Sequence, residues 1–109
     1  EDYDEYEVSY KGEFFKKYLE ELLNPYTSVE VRNSGLMIGI SFPKNVELLR
    51  LYDIWGRIRK RGLLVYIFYN PGYNLGISLF PPFTSTEDDL KEAAKKIASQ
   101  LKRYPDILY

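Results

Sequence analysis

The 109-residue chain predicts an α+β domain of two layers, a three- to four-stranded, mainly antiparallel sheet covered by three helices. Three observations carry that expectation. Three segments repeat apolar residues at helical spacing, and shorter runs between them read as strands. The last two runs are joined by Pro71-Gly72, a tight turn that makes neighbouring strands antiparallel. With 45% hydrophobic and 28% charged residues the composition is globular. A chain of this length hides roughly two thirds of its unfolded surface, enough for one core.

Residues 1–8, EDYDEYEV, form an acidic lead-in, and 9–109 form the single domain. The lead-in lacks the glycine and the spacing of a calcium-binding loop, so we read it as solvated. In "SYKGEFFKKYLEELLNP" the apolar positions 14, 15, 18, 19, 22 and 23 make one helical stripe. Glu13 and Lys17 have the favourable i,i+4 order, and Asn24-Pro25 supplies the stop. "SVEVRNSGLMIGISFP" then alternates at Val29 and Val31 and bends at Asn33-Ser34-Gly35, as two strands or one bent strand. From Asn45, read as an N-cap, the next helix places Leu48, Leu51, Tyr52, Trp55 and Ile58 on one face and ends at Gly62. Its last turn holds Arg57, Arg59, Lys60 and Arg61, which suit the negative helix end better than they suit a phosphate. Gly56, unfavourable inside a helix, suggests close packing there. "LLVYIFYN" and "NLGISLFPP" are the strands around Pro71-Gly72, and the continuous apolarity of Leu63 to Tyr69 requires cover on both faces. One face can take the domain's own helices; the other calls for a partner. The final helix opens with Thr86 as N-cap and Asp89 completing a capping box, and its stripe is Leu90, Ala93, Ala94, Ile97, Ala98 and Leu101.

Composition excludes several chemistries. With no cysteine and no histidine, disulfides, thiolate catalysis and the commonest metal ligands and general base are absent. A net charge of -1 gives no general attraction to nucleic acid or to an acidic membrane. No apolar run approaches a membrane span, and the first residues do not resemble a signal peptide, so the expected location is cytoplasmic. Met37 is the single methionine, which leads us to expect a processed product or a piece of something longer.

Four stretches share an order and spacing with one known family: "KGEFFKKYLEEL"; Val31-Arg32 followed by Gly35-Leu36-Met37-Ile38-Gly39-Ile40; Arg61-Gly62-Leu63; and Pro81-Pro82-Phe83 followed by Thr86-Glu87. Over about residues 9 to 103 the chain resembles the C-terminal small domain of class III, fold-type I pyridoxal-phosphate-dependent aminotransferases. That group includes ornithine, acetylornithine and 4-aminobutyrate aminotransferases. The resemblance implies a parent enzyme that is a homodimer, with a large domain carrying the Schiff-base lysine, the aspartate on the pyridinium nitrogen and the phosphate cup. It further implies that this chain alone binds no pyridoxal 5'-phosphate, does not catalyse transamination, and self-associates through the face the large domain would cover.

In the family, the strand that ends on two prolines faces the active-site cleft, and many members carry an arginine three residues before the first proline. Here that position is Ser78, which cannot form a bidentate, charged clamp on a carboxylate. The departure bears on substrate, since members that accept amines or ω-amino acids also lack the arginine. Ser78, Phe80 and Phe83 are therefore the expected substrate-side residues, with Arg32 as an outside candidate for the missing cation. Most aromatic residues belong to helix faces or strand runs; Tyr69, Tyr73 and Phe83 are the exceptions and are expected at a contact with the large domain or at the substrate entrance.

Two other readings stand beside this one. "RGLLVYIFY" partly fits an RNA-binding strand motif through Arg61, Gly62 and Phe68, but Leu63 and Val65 occupy positions that need aromatic rings. A stand-alone regulatory or ligand-binding module would need convergent polar groups, and only Asn70, Asn74 and Ser78 lie near the hairpin.

Overall fold

The computed structural model describes residues 5–24 and 28–108. Element order is α1 (Glu5–Leu23), β1 (Glu30–Ser34), β2 (Met37–Ser41), α2 (Leu48–Lys60), β3 (Val65–Asn70), β4 (Asn74–Leu79), α3 (Glu87–Leu101) and α4 (Pro105–Leu108). The four strands form one sheet in the order β1-β2-β4-β3, every neighbour antiparallel. This is the expected α+β arrangement with a fourth, one-turn helix added.

The bend at Gly35 is a true hairpin. Ser34 pairs with Met37 across Gly35 and Leu36, and Gly35 takes a φ of 58°, the positive value a two-residue hairpin loop needs. The second hairpin closes at Pro71-Gly72-Tyr73, where Tyr73 N–H donates to the Asn70 carbonyl at 2.9 Å and Asn70 Nδ2 donates to Asn74 Oδ1 at 2.7 Å. Because β4 inserts between β2 and β3, the strand carrying Ser78 is central in the sheet.

Strand alternation divides the sheet cleanly. Val31, Ile40 and Ile77 share one row, and Ile38, Leu79 and Val65 another; all are buried on the helix side. Helix α1 buries Phe15, Leu19 and Leu23 at i, i+4, i+8, with Phe14, Tyr18 and Leu22 half-buried beside them. Gly12 is where α1 meets the first hairpin: a Cβ there would lie 1.8 Å from the Gly35 carbonyl oxygen. Helix α3 buries Leu90, Ala94, Ile97, Ala98 and Leu101, and its start is the expected capping box: Thr86 Oγ1 accepts from Asp89 N–H at 3.1 Å, and Asp89 Oδ2 accepts from Thr86 N–H at 3.0 Å.

Helix α2 departs from its expected phase. Its buried stripe is Leu51, Ile54 and Ile58; Leu48 and Tyr52 are exposed, and Trp55 is half-buried with Nε1 donating to the Val65 carbonyl at 2.9 Å. The N-cap is Glu47 without a side-chain bond, because Asn45 lies inside a turn in which Val46 N–H donates to the Pro43 carbonyl. Gly56 is not tightly packed: no atom lies within 4 Å of where its Cβ would be. On α1 the ion pairs that form are Glu7–Lys11 at 3.3 Å and Lys16–Glu20 at 3.0 Å rather than Glu13–Lys17.

No local sequence pattern announces helix α4. Ile107 and Leu108 are buried, Arg50 on α2 grips Asp106 with two N–H groups at 3.0 and 3.1 Å, and the Tyr104 hydroxyl donates to Asp53. The acidic segment expected as a solvated lead-in enters α1 from Glu5 onward, and residues 1–4 lie outside the described residues.

Candidate functional site

All the described helices pack into the core on one side of the sheet, so its other face is open among the described residues. Cross-strand pairing places Arg32, Gly39, Ser78 and Tyr66 in a single row on that face. Ser78 is half-buried, Tyr66 is 48% exposed, and Arg32 is exposed at the sheet edge. The Cα atoms of Arg32 and Ser78 are two strand spacings apart, about 10 Å. Between them Gly39 presents no side chain and has open space above it. Arg32 Nη2 donates to Ser41 Oγ at 2.7 Å, which holds the guanidinium over β2, and it pairs with no carboxylate among the described residues.

At the end of β4, Phe80 is 57% exposed and meets Tyr66 edge-on, with ring centroids 5.8 Å apart. Leu64 and Met37 are also exposed, which leaves apolar side chains without cover around the Ser78 row. One row further along, Phe68 pairs with Gly76, and a Cβ on Gly76 would come within 2.9 Å of the Phe68 ring. The Ile40 carbonyl oxygen lies closer still, 1.9 Å from that Cβ position, so the neighbouring backbone and the aromatic ring together occupy the space that the glycine leaves. Beyond Phe80, Pro81 and Pro82 leave the strand, and a hollow of ≈ 210 Å³ opens beneath them, lined by Leu63, Leu64, Phe80, Asp89 and Ala93 among others.

The structure thus gathers Ser78, Phe80 and Arg32 on the open face. Phe83 lies past the prolines, where its carbonyl accepts from Lys11 Nζ at 2.7 Å and ties the loop to α1. Tyr69 shares the strand parity of Val65 and Ile67, on the helix side at the hairpin end, and Tyr73 sits exposed in the turn. Gly39, which enters the sequence only as part of the family-like strand, and Tyr66 are not among the expected site residues. The period-2 phase of Leu64, Tyr66 and Phe68 is the signal that places Tyr66 on the uncovered face, whereas Gly39 joins it only through the pairing of β2 with β1 and β4.

No protein-family model matches the chain. The chain is 35% identical over 99 residues to acetylornithine aminotransferase of Bacillus subtilis, covering 90% of this chain and 23% of that protein. It is 36% identical over 91 residues to the [LysW]-aminoadipate semialdehyde/glutamate semialdehyde transaminase of Sulfurisphaera tokodaii, covering 81% of this chain and 21% of that one. Among solved structures, Plasmodium falciparum ornithine δ-aminotransferase matches with a TM-score of 0.73 at 26% identity, over 92% of this chain and 25% of that chain. The chain is a homologue of ornithine and acetylornithine aminotransferases. Its α+β fold is that of an aminotransferase small domain, and it spans about a quarter of the length of the relatives it matches.

Aminotransferase relatives imply pyridoxal phosphate in a parent enzyme, and the residues of this chain do not fit that cofactor. A Schiff-base lysine must present a free amine beside a phosphate cup. Lys11 is instead held by Glu7 and the Phe83 carbonyl, Lys16 pairs with Glu20, Lys96 with Glu92, and Lys91 lies over the Tyr18 ring. Lys17, Lys44, Lys60, Lys95 and Lys102 are exposed to solvent, so none offers the desolvated amine that a Schiff base needs, and no lysine belongs to the sheet strands. Among the described residues no cluster of carboxylates could hold a metal ion either.

Proposed function

We propose that residues 9–109 are the C-terminal small domain of a pyridoxal-phosphate-dependent class III aminotransferase of the ornithine, acetylornithine or 4-aminobutyrate type. Residues 1–8 would lead in from a large cofactor-binding domain of the same chain. The observation that supports this most is the open sheet face, with its exposed apolar side chains and half-buried Ser78, in a chain similar along 90% of its length to about a quarter of such an enzyme. The large domain would cover that face, and the end of β4 would form one wall of the substrate pocket, excluding water when the domains close. The parent would be a cytoplasmic homodimer, and the cofactor would supply the carbanion stabilisation that amino-group transfer needs.

Ser78 sets the substrate class in this reading. An arginine here would grip a carboxylate with two parallel charge-assisted hydrogen bonds; a serine offers one neutral donor. Donors that bring no α-carboxylate to this wall, such as amines and ω-amino acids, are favoured. Arg32 is the outside candidate for a cation that reaches a more distant carboxylate, across the gap at Gly39. The test is Ser78→Arg in the longer enzyme, with kcat/KM measured for a panel of amine and α-amino-acid donors. Selectivity should shift towards α-amino acids by tenfold or more, the value of a charged hydrogen-bonded pair. Unchanged ratios across the panel would defeat the assignment of Ser78.

A further inference from the structure

On the side of the molecule formed by the ends of α2 and α3, a hollow of ≈ 360 Å³ is lined by Arg57, Lys60, Arg61 and Arg103, with Asp53 the one carboxylate among its walls. The sequence shows three of these cations as a helix terminus; the fold adds Arg103, which follows α3. Two helix C-terminal ends meet here and each contributes about half a negative charge. With Asp53 they offset about two of the four positive charges. Roughly two remain, more than helix termination requires.

The cations are also held in place. Gln100 is only 4% exposed, and one end of its amide lies 3.1 Å from both Arg61 Nε and Nη2; two donors there can be met only by the amide oxygen, so we assign Oε1 to that end, accepting from both. That uses two of the five guanidinium N–H groups and leaves three pointing elsewhere. Arg57 Nε donates to Asp53, itself engaged by the Tyr104 hydroxyl, so this carboxylate is already occupied. Lys60 and Arg103 have no carboxylate partner among the described residues. Gly56 forms part of the wall and packs against nothing, so the absence of a side chain there keeps the hollow open at a cost to helix stability.

We propose that this hollow is an anion site that takes a phosphate group, with Arg61 and Arg103 as its main donors and Gln100 as the residue that positions Arg61. The site is separate from the open sheet face and does not depend on the reading of that face.

The experiment is a titration of the 109-residue chain with inorganic phosphate, then pyrophosphate, followed by 1H–15N NMR at fixed pH and ionic strength. Saturable shifts centred on Gly56, Arg61, Gln100 and Arg103 are expected. Arg103→Ala should weaken binding about tenfold or more, the value of a charge-assisted hydrogen bond. Gln100→Met keeps all four cations and the side-chain volume but unties Arg61, and should weaken binding several-fold. Lys95→Ala removes the same charge from the exposed surface of α3 and should leave binding unchanged. Non-saturating shifts, or equal losses in Arg103→Ala and Lys95→Ala, would reduce the cluster to a general charge effect and overturn the proposal.

Discussion

Two glycines in helix interiors make a paired test of the packing. Replacing Gly by Ala inside a helix gains up to about 1 kcal/mol of propensity wherever the backbone is ordinary. Neither Gly12 nor Gly56 has a positive φ, so both start with the same gain. At Gly56 nothing lies within 4 Å of the new methyl, and the gain should appear nearly whole, as about 0.5–1 kcal/mol of added stability. At Gly12 the methyl would lie 1.8 Å from the Gly35 carbonyl oxygen and 2.8 Å from its carbon, both backbone atoms of a hairpin loop that cannot rotate away. Ordinary contact needs more than 3 Å, so α1 must lift from the sheet by over 1 Å and loosen the seating of Phe15 and Leu19. Overpacking of this kind costs about 1–3 kcal/mol, and a backbone collision belongs at the upper end. Net of propensity, Gly12→Ala should lose about 2 kcal/mol. The two variants should differ by about 3 kcal/mol, a separation in Tm of more than about 10 °C for a domain of this size. Urea and thermal unfolding of the two purified variants would measure it. Shifts of the same sign would refute the contact between α1 and the Gly35 hairpin.

Other outcomes follow from the same structure. Thr86→Ala removes the hydroxyl that caps α3 and should cost about 1 kcal/mol by urea denaturation, whereas Thr86→Ser should restore most of it. The isolated chain should self-associate with rising concentration in analytical ultracentrifugation, and Tyr66→Glu with Phe80→Glu should render it monomeric; a wild-type chain that stays monomeric at high concentration would mean that the open face needs no cover. Stability should be flat between about pH 5 and pH 9, because there is no histidine to titrate. Asp53, Asp89 and Asp106 are held below the ordinary carboxylate range, chiefly by the Tyr104 hydroxyl, the Thr86 backbone and the Arg50 guanidinium respectively. Their contribution is therefore complete above a pH of about 4 and lost as pH falls through the lower folded values. Tyr10 and Tyr104 are pushed up, by the hydrogen bond to Glu87 and by burial, so their share is present below pH about 10 and lost as pH rises through the folded values. A change in the urea midpoint inside the flat window would contradict this.

The elements with a strong local signal were legible in the sequence. The Thr86 capping box, the α3 stripe and the Pro71-Gly72 hairpin each depend on contacts within a few residues, and each stands as expected. In the sequence the α2 stripe runs through Trp55 and Tyr52, whose large rings suit either a core or a rim; the fold buries Ile54 and leaves Tyr52 outside. Helix α4 is one turn long and owes its place to Arg50 and Asp53, more than 50 positions earlier, which no local pattern reveals. A helical glycine can mark either a close neighbour or a space, and Gly56, where the sequence suggests close packing, marks a space. The Ser78 row depends on register between three strand pairs, and Arg32 joins it only because β4 lies beside β2.

The most direct test of the central proposal is the size of the native polypeptide, detected in a cell extract with an antibody raised against this chain. The chain's mass is 12.9 kDa, and it covers 23% of its aminotransferase relative from Bacillus subtilis. A band about four times heavier that co-purifies with the visible absorbance of bound pyridoxal phosphate is the predicted result. A band at the chain's own mass, without that absorbance, would contradict it.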